Sequence, residues 1–227
     1  LKTRATANGD HFILNGAKAF VPFAKDAEVI LVYADLDGST QGFLIPKGTQ
    51  GLAISEEREK LMSLNALPMY RLTLDSVKVP AANQLGGASG MDFEPVLASM
   101  RLAAASAAVG VANAAFEYSK NYAKERDVFG VKVAQKQAIA FMLAEMVTEI
   151  EASCLLIWEA AWKLDQGHAD AATDAYLAFT GAVDMVMMVT DRAVQILGGH
   201  GYIREHPVEM WMRNGRGFTT FTGLAIV

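Results

Sequence analysis

The spacing of apolar residues changes once along the chain, and the change predicts two kinds of structure. Up to about residue 80, apolar residues form short runs, such as 29–34 and 42–46, separated by turn residues. Runs of this length between Gly, Pro and Asn clusters indicate β-strands. Because no helical pattern lies between them, they favour an antiparallel sandwich or barrel. Segments 11–15 and 19–21 flank Asn15-Gly16, which predicts a hairpin that turns at this dipeptide.

Beyond the glycine-rich segment 86–90, apolar residues recur at the spacing of helices. Small residues at many of these positions would let helices approach closely in an antiparallel bundle. We expect left-handed glycines after the second and third helices, at Gly167 and at Gly198-Gly199. The three series consist of Leu102, Ala105, Val109, Ala112 and Phe116, then Ile139, Met142, Leu143, Met146, Val147, Ile150, Cys154, Ile157 and Ala161, and then Tyr176, Phe179, Val183, Val186, Thr190, Ala193 and Leu197.

Composition excludes some classes of protein and indicates the compartment in which this one works. A net charge of −5 gives no reason to expect nucleic-acid binding. No uninterrupted apolar run reaches about 18 residues, so we expect no membrane span. The single cysteine, Cys154, rules out an intrachain disulfide and fits a reducing compartment. The chain begins with Leu1 rather than Met and shows no targeting segment, so we expect a fragment of a cytoplasmic protein.

Two segments could bind a ligand, and each also has a purely structural interpretation. In the segment 126–130, Arg126 beside Phe129 and Gly130 could hold a phosphate and stack on a ring, or simply end a helix. In the segment 195–201, three glycines could bring the backbone close to a ligand, or only turn the chain. His200 has no partner at metal-ligand spacing, so we predict no metal site.

Together these segments resemble the acyl-CoA dehydrogenase family. The family's R-x-x-F-G…Q element matches Arg126 to Gly130 followed by Gln137, and its glycine signature matches residues 194–201 followed by Pro207-Val208-Glu209. Residues 14–18, 42–46 and 77–80 resemble its middle β domain. The resemblance implies an α+β fold: an antiparallel β domain (residues 1–86) followed by an antiparallel four-helix-type bundle (91–227), without the family's N-terminal helical domain.

The resemblance also implies FAD as the cofactor, shared between subunits of a homo-oligomer or hetero-oligomer. Arg126 and Phe129 would reach the flavin dinucleotide of a neighbouring subunit, and Gln195, Gly198 and Gly199 would contact its adenosine and pyrophosphate. Arg101 and Gly223 would lie near the acyl-CoA thioester, and an electron-transfer flavoprotein or a similar acceptor would reoxidise the flavin. Three further residues would lie beside the dinucleotide: Val128, Lys136 and Gln137.

The residues expected to act as the base differ from the family pattern. The family removes two hydrogens from the α and β carbons of an acyl-CoA, and a glutamate takes the α proton. That glutamate aligns with Thr222, and an alternative position on the first bundle helix is Met100. A threonine hydroxyl is too weak an acid to replace a carboxylate, whose loss typically slows a reaction ~10²–10⁴-fold. Two interpretations follow: an active dehydrogenase with an unconventional base, or a catalytically silent subunit that completes a partner's flavin site.

Other departures fall where the family contacts the flavin. The segment that usually backs the flavin is Phe20-Val21-Pro22 in this chain. Pro22 cannot donate a backbone hydrogen bond, because it has no amide hydrogen. Ser63 and Asn65 stand where the family has a glycine and an arginine. These substitutions favour the interpretation of a subunit that binds FAD poorly by itself.

Overall fold

The computed structural model describes residues 1–218, so Thr222 and Gly223 lie outside the described residues. It divides into two compact units, one that contains Leu1–Val96 and one that begins at Leu97. The first unit is a β-sheet and the second is helical, which is the predicted α+β fold class.

The first unit is built on a six-stranded sheet with the strand order β4-β3-β1-β2-β6-β5. Neighbouring strands are antiparallel except β1 and β3, which are parallel. The sheet is therefore mixed rather than purely antiparallel as the short runs suggested. Side chains such as Leu14, Phe43 and Leu72 form its buried core. The strands are β1 (Arg4–Asn8), β2 (His11–Pro22), β3 (Val29–Leu36), β4 (Ser39–Pro46), β5 (Leu52–Ile54) and β6 (Met69–Pro80).

The predicted hairpin turn at Asn15-Gly16 is wrong. Strand β2 continues through this dipeptide, and the chain turns instead between Asn8 and His11, which pair at the end of β1 and β2. Gly16 marks an irregularity in the pairing of β2 with β6. A Cβ at Gly16 would lie 2.7 Å from Thr3 Cα, so this glycine permits a close approach of two strands rather than a turn.

Among the described residues, the second unit contains four α-helices, and a hairpin of two short strands lies between the first two. Helices α2 and α3 pack along their lengths, and α4 packs on α3. The three predicted helical series lie on α1, α2 and α3 and contribute to the buried core, although Tyr176 is exposed. The elements are α1 (Phe93–Glu125), β7 (Asp127–Val128), β8 (Val131–Lys132), α2 (Gln137–Asp165), α3 (Ala171–Leu197) and α4 (Val208–Gly217).

Charged side chains stabilise the turn between α2 and α3. Gly167 has a φ of 69° and ends α2 in the predicted left-handed conformation. Lys163 Nζ lies 3.1 Å from an oxygen of Asp170 and also contacts Asp174. Hydrogen bonds to these carboxylates raise the pKa of Lys163. Lys163 therefore stays protonated and links the last turn of α2 to the start of α3.

Two segments of the helical unit satisfy simple criteria for a membrane helix. By length and composition, α1 and the segment Ala171–Tyr202 are long and apolar enough to cross a bilayer. Core helices of soluble proteins satisfy the same criteria, and the small residues of both helices contribute to the buried core. The expectation that the chain has no membrane span stays a prediction.

Candidate functional site

The hairpin after α1 presents an aromatic ring in a strained backbone conformation. Phe129 and Gly130 connect β7 to β8 with φ values of 54° and 78°. Two positive φ values are typical of the type I′ turn, which favours Asn-Gly. A phenylalanine there costs of order 1–3 kcal/mol, yet its side chain is 94% exposed. Because the ring gains almost no burial within the described chain, a ligand or a partner is the natural explanation for it.

The end of α3 forms a glycine turn whose backbone is open to solvent on one side. Gly198 ends the helix with a φ of 59°, and its N–H donates to the carbonyl of Gln195. A Cβ at Gly198 or Gly199 would meet no atom within 4 Å, so their backbone is accessible to a ligand. A Cβ at Gly201 would lie 2.3 Å from the carbonyl oxygen of Val194, so this glycine packs tightly on α3.

The hairpin and the glycine turn form two walls of one groove of about 480 Å³, which we call the helix-end groove. Two cationic side chains, Arg126 and Lys136, line it. Lys136 Nζ lies 5.4 Å from the centroid of the Phe129 ring, in cation–π range. The other lining residues are Tyr122, Val128, Val133, Ile139, Ile196, Leu197, Gly198, Gly199 and His200.

The structure brings together most of the predicted cofactor residues, but not all. Gln137 and Gln195 do not line the groove. Gln137 begins α2 and Gln195 lies in the last turn of α3, and both are exposed. The predicted residues that do line the groove are Arg126, Val128, Phe129, Lys136, Gly198 and Gly199.

Arg101 lies outside this groove, on α1. Its guanidinium carbon lies 4.9 Å from the centroid of the Tyr176 ring on α3, in a cation–π contact. Its Nε is buried and has no hydrogen-bond partner among the described residues. Met100, next to it, is exposed and carries no acidic group. Arg101 thus has a buried donor without a partner among the described residues, whereas Met100 offers no base.

Six residues that line the groove were not among the predicted cofactor residues, and two of them, Tyr122 and His200, are hydrogen-bonded to each other. Tyr122 lies one helical turn before Arg126, and its hydroxyl hydrogen-bonds His200 Nδ1 at 2.7 Å. Nothing in the sequence pairs these residues, because they are 78 positions apart. The one available signal was the i, i+4 spacing of Tyr122, in the last turn of α1, and Arg126, which directly follows the helix and whose N–H donates to the carbonyl of Tyr122.

The groove fits the nucleotide part of a dinucleotide cofactor. Two cations suit a pyrophosphate, and the apolar wall and the Phe129 ring suit an aromatic base. The open backbone at Gly198 and Gly199 leaves room for close approach of phosphate oxygens. Within residues 1–218, none of its lining residues is a carboxylate. Among residues 1–218, no three His, Cys, Asp or Glu side chains are grouped to hold a metal ion.

Comparison with known proteins identifies a family for both parts of the chain. Residues 93–225 match the acyl-CoA dehydrogenase C-terminal domain, and residues 1–77 match the acyl-CoA dehydrogenase middle domain. The chain belongs to the acyl-CoA dehydrogenase family. This family consists of flavoproteins, generally FAD-dependent, that act as oxidoreductases on CH–CH bonds.

The similar proteins are longer than this chain. A cyclohex-1-ene-1-carbonyl-CoA dehydrogenase from Geobacter metallireducens is 36% identical over 98% of this chain and 60% of its own length. Subunit CarC of the caffeyl-CoA reductase-Etf complex from Acetobacterium woodii is 35% identical over 100% of this chain and 61% of its own. The structure of butyryl-CoA dehydrogenase from Megasphaera elsdenii has a TM-score of 0.82 and 34% identity, over 99% of this chain and 63% of its own. This chain therefore spans about three fifths of the length of these relatives.

Proposed function

We propose that the helix-end groove holds the adenosine diphosphate part of FAD. The observation that carries this proposal is the meeting of two cations, an exposed strained Phe129 and open glycine backbone in one groove. Arg126 and Lys136 would pair with the pyrophosphate, and Phe129 would stack on a ring of the dinucleotide. The exposed Gln137 and Gln195 lie at the ends of the helices that border the groove. Their side-chain amides could donate hydrogen bonds to a ligand at its rim.

The reaction proposed for the whole protein is α,β-dehydrogenation of an acyl-CoA thioester. The three relatives compared above are named for CoA thioesters, which supports this class of substrate. FAD, when bound, supplies the acceptor for the two electrons. Arg101 would contribute its unpaired Nε donor to the acyl-CoA side, and Gly223 would lie beside the thioester.

Neither of the two positions expected for the catalytic base carries a carboxylate. Of its two expected positions, Met100 carries a thioether and Thr222 a hydroxyl, and neither takes up a proton readily near neutral pH. This favours a second candidate function: a catalytically silent subunit that completes the flavin site of a hetero-oligomer. Both candidate functions use the helix-end groove in the same way. They differ only in whether this chain catalyses the dehydrogenation.

Spectroscopy of the purified chain, alone and with added FAD, tests both candidates. Bound flavin absorption that acyl-CoA bleaches would support an active dehydrogenase. Bound flavin that no acyl-CoA bleaches would support the silent subunit, and Thr222→Glu should then raise bleaching by roughly 10²–10⁴-fold if only the base is missing. If neither FAD nor ADP binds at concentrations up to millimolar, the proposed function is wrong.

Three observations support proposals about the partners and the compartment. A relative is named as a subunit of a complex with Etf, which supports an electron-transfer flavoprotein as the acceptor. Self-association is supported by exposed Leu155, Trp158 and Trp162 on one face of α2. A cytoplasmic location is supported by the single free thiol of Cys154.

A further inference from the structure

Four rings form a hydrogen-bonded cluster beneath the glycine turn. The Tyr122 hydroxyl and His200 Nδ1 are 2.7 Å apart, and the Tyr118 hydroxyl and His206 Nδ1 are 2.8 Å apart. The two imidazoles stack with centroids 5.3 Å apart and planes at 17°. Both tyrosines come from α1, one turn apart, and both histidines come from the chain after α3. The cluster thus fastens the segment after α3 to α1 at two points.

Only one of the two pairs reaches the helix-end groove. Tyr122 and His200 line the groove, whereas Tyr118 and His206 do not. His200 follows Gly198 and Gly199 directly, and it is the one residue of 198–201 with a side chain. Glycine loses more conformational freedom on folding than other residues, so the turn needs an anchor to hold a fixed backbone.

We propose that Tyr122 and His200 are positioning residues for the nucleotide in the helix-end groove. This inference rests on the proposed function. Their hydrogen bond holds the glycine turn at a fixed distance from the end of α1, where Arg126 lies one helical turn beyond Tyr122. The bond therefore sets the width of the groove between the open glycine backbone and the guanidinium. The bond between Tyr118 and His206 fastens the chain at a point farther from the groove, so it contributes to stability alone.

Tyr122→Phe tests this inference, with Tyr118→Phe as its matched control. Each variant removes one hydroxyl from the same helix and leaves the ring packing in place. ADP affinity is measured by calorimetry on the 227-residue chain, and stability by thermal unfolding. We expect Tyr122→Phe to weaken ADP binding by roughly 2- to 10-fold, the factor for about one hydrogen bond. Tyr118→Phe should lower the unfolding temperature to a similar extent but leave ADP affinity within about 1.5-fold of the parent.

His200 offers a second test that separates the hydrogen bond from the histidine ring. The side-chain amide of asparagine places a polar atom near the position of Nδ1, whereas leucine keeps the bulk and has no polar atom. We expect His200→Asn to retain most of the ADP affinity and His200→Leu to lose it to the same extent as Tyr122→Phe. Equal losses in Tyr122→Phe and Tyr118→Phe, or no loss in either, would overturn the inference.

Hydrogen exchange separates failure of this inference from failure of the proposed function. If the parent chain does not bind ADP, the proposed function fails and the affinities decide nothing further. Exchange of the amides of residues 198–201 then measures the anchor directly, without a ligand. We expect faster exchange in Tyr122→Phe than in Tyr118→Phe. Identical exchange in the two variants would show that Tyr122 and His200 do not position the turn.

Discussion

Phe129 has an unfavourable backbone conformation and little burial, which fit the binding role proposed for it. Its φ of 54° lies in the left-handed region, where a bulky residue is a genuine outlier. Asparagine adopts this conformation far more readily, and Asn-Gly is the preferred pair for a two-residue hairpin. The phenylalanine instead places at the groove a ring whose centroid lies 5.4 Å from Lys136 Nζ.

Phe129→Asn should raise the stability of the chain and weaken its binding of ADP. We expect the variant to be more stable by about 1 kcal/mol, because the turn strain is relieved. ADP binding should weaken by roughly 5- to 10-fold, because the variant loses one aromatic contact. Chemical denaturation and calorimetry measure the two effects. Val131→Thr in the same hairpin is the control, since Val131 does not line the groove; a similar loss of affinity there would contradict the role of the ring.

Lys18 gives the β unit a pH-dependent stability. It is buried in β2, and burial lowers its pKa from about 10.5 to about 8. Between these two pH values the unfolded chain binds the proton and the folded chain does not, so the free energy of unfolding rises with pH. Below pH 8 both states are protonated, and the destabilisation is constant.

Urea denaturation at pH 7.5, 9 and 10.5 checks this dependence. We expect the parent to gain stability with pH relative to Lys18→Met, with a slope below about 1.4 kcal/mol per pH unit, the limit for one proton. The exposed Lys78 on β6 provides the control, because Lys78→Met should give a curve parallel to that of the parent. Parallel curves for the parent and Lys18→Met would show that Lys18 titrates alike in both states.

At the scale of elements, Gly199 and Gly201 have different structural roles in the glycine turn after α3. A Cβ at Gly201 would lie 2.3 Å from the Val194 carbonyl oxygen, whereas one at Gly199 would enter open space. We expect Gly201→Ala to destabilise the chain by about 1–3 kcal/mol, because the turn must move away from α3. Gly199→Ala should leave stability within about 0.5 kcal/mol of the parent and weaken ADP binding, because the methyl group would enter the groove. Thermal unfolding and calorimetry of both variants distinguish these roles, and a reversed pattern would contradict them.

The helices were easier to predict than the strands. Long series of apolar residues at helical spacing located α1, α2 and α3, because a bundle buries one face of each helix over many turns. The strands were placed, but the Asn15-Gly16 dipeptide was mistaken for a hairpin turn. Local turn preference was outweighed there, because β2 pairs with β6 on both sides of this dipeptide and with β1 up to Asn15. Pairing across a sheet depends on distant strands and cannot be read from a dipeptide.

At the scale of the whole molecule, the outer face of α2 supports the proposed self-association. Leu155, Trp158 and Trp162 recur at i, i+3 and i+7 and are 61%, 68% and 56% exposed. Tryptophan is enriched at protein interfaces, and this spacing puts the three side chains on one helix face.

Trp158→Glu should therefore lower the oligomeric mass. We expect a charged side chain in this face to destabilise a subunit contact, because it would be buried without a partner. Light scattering after size exclusion measures the mass of the parent and the variant. Val29→Glu places the same charge at an exposed apolar site on β3 of the other unit and should leave the mass unchanged. An unaltered mass for Trp158→Glu would exclude this face as an interface.

The sequence by itself determined the fold class, the family and six of the twelve residues that line the helix-end groove. It could do so because the periodicity of each helix and the short motifs at 126–130 and 194–201 are local features of the chain. Only the tertiary structure decided which of these residues meet. The exclusion of Gln137 and Gln195 from the groove wall, and the bond between Tyr122 and His200, follow from how α1 and the end of α3 pack. Contacts between positions 78 residues apart depend on the packing of whole helices, which no local pattern encodes.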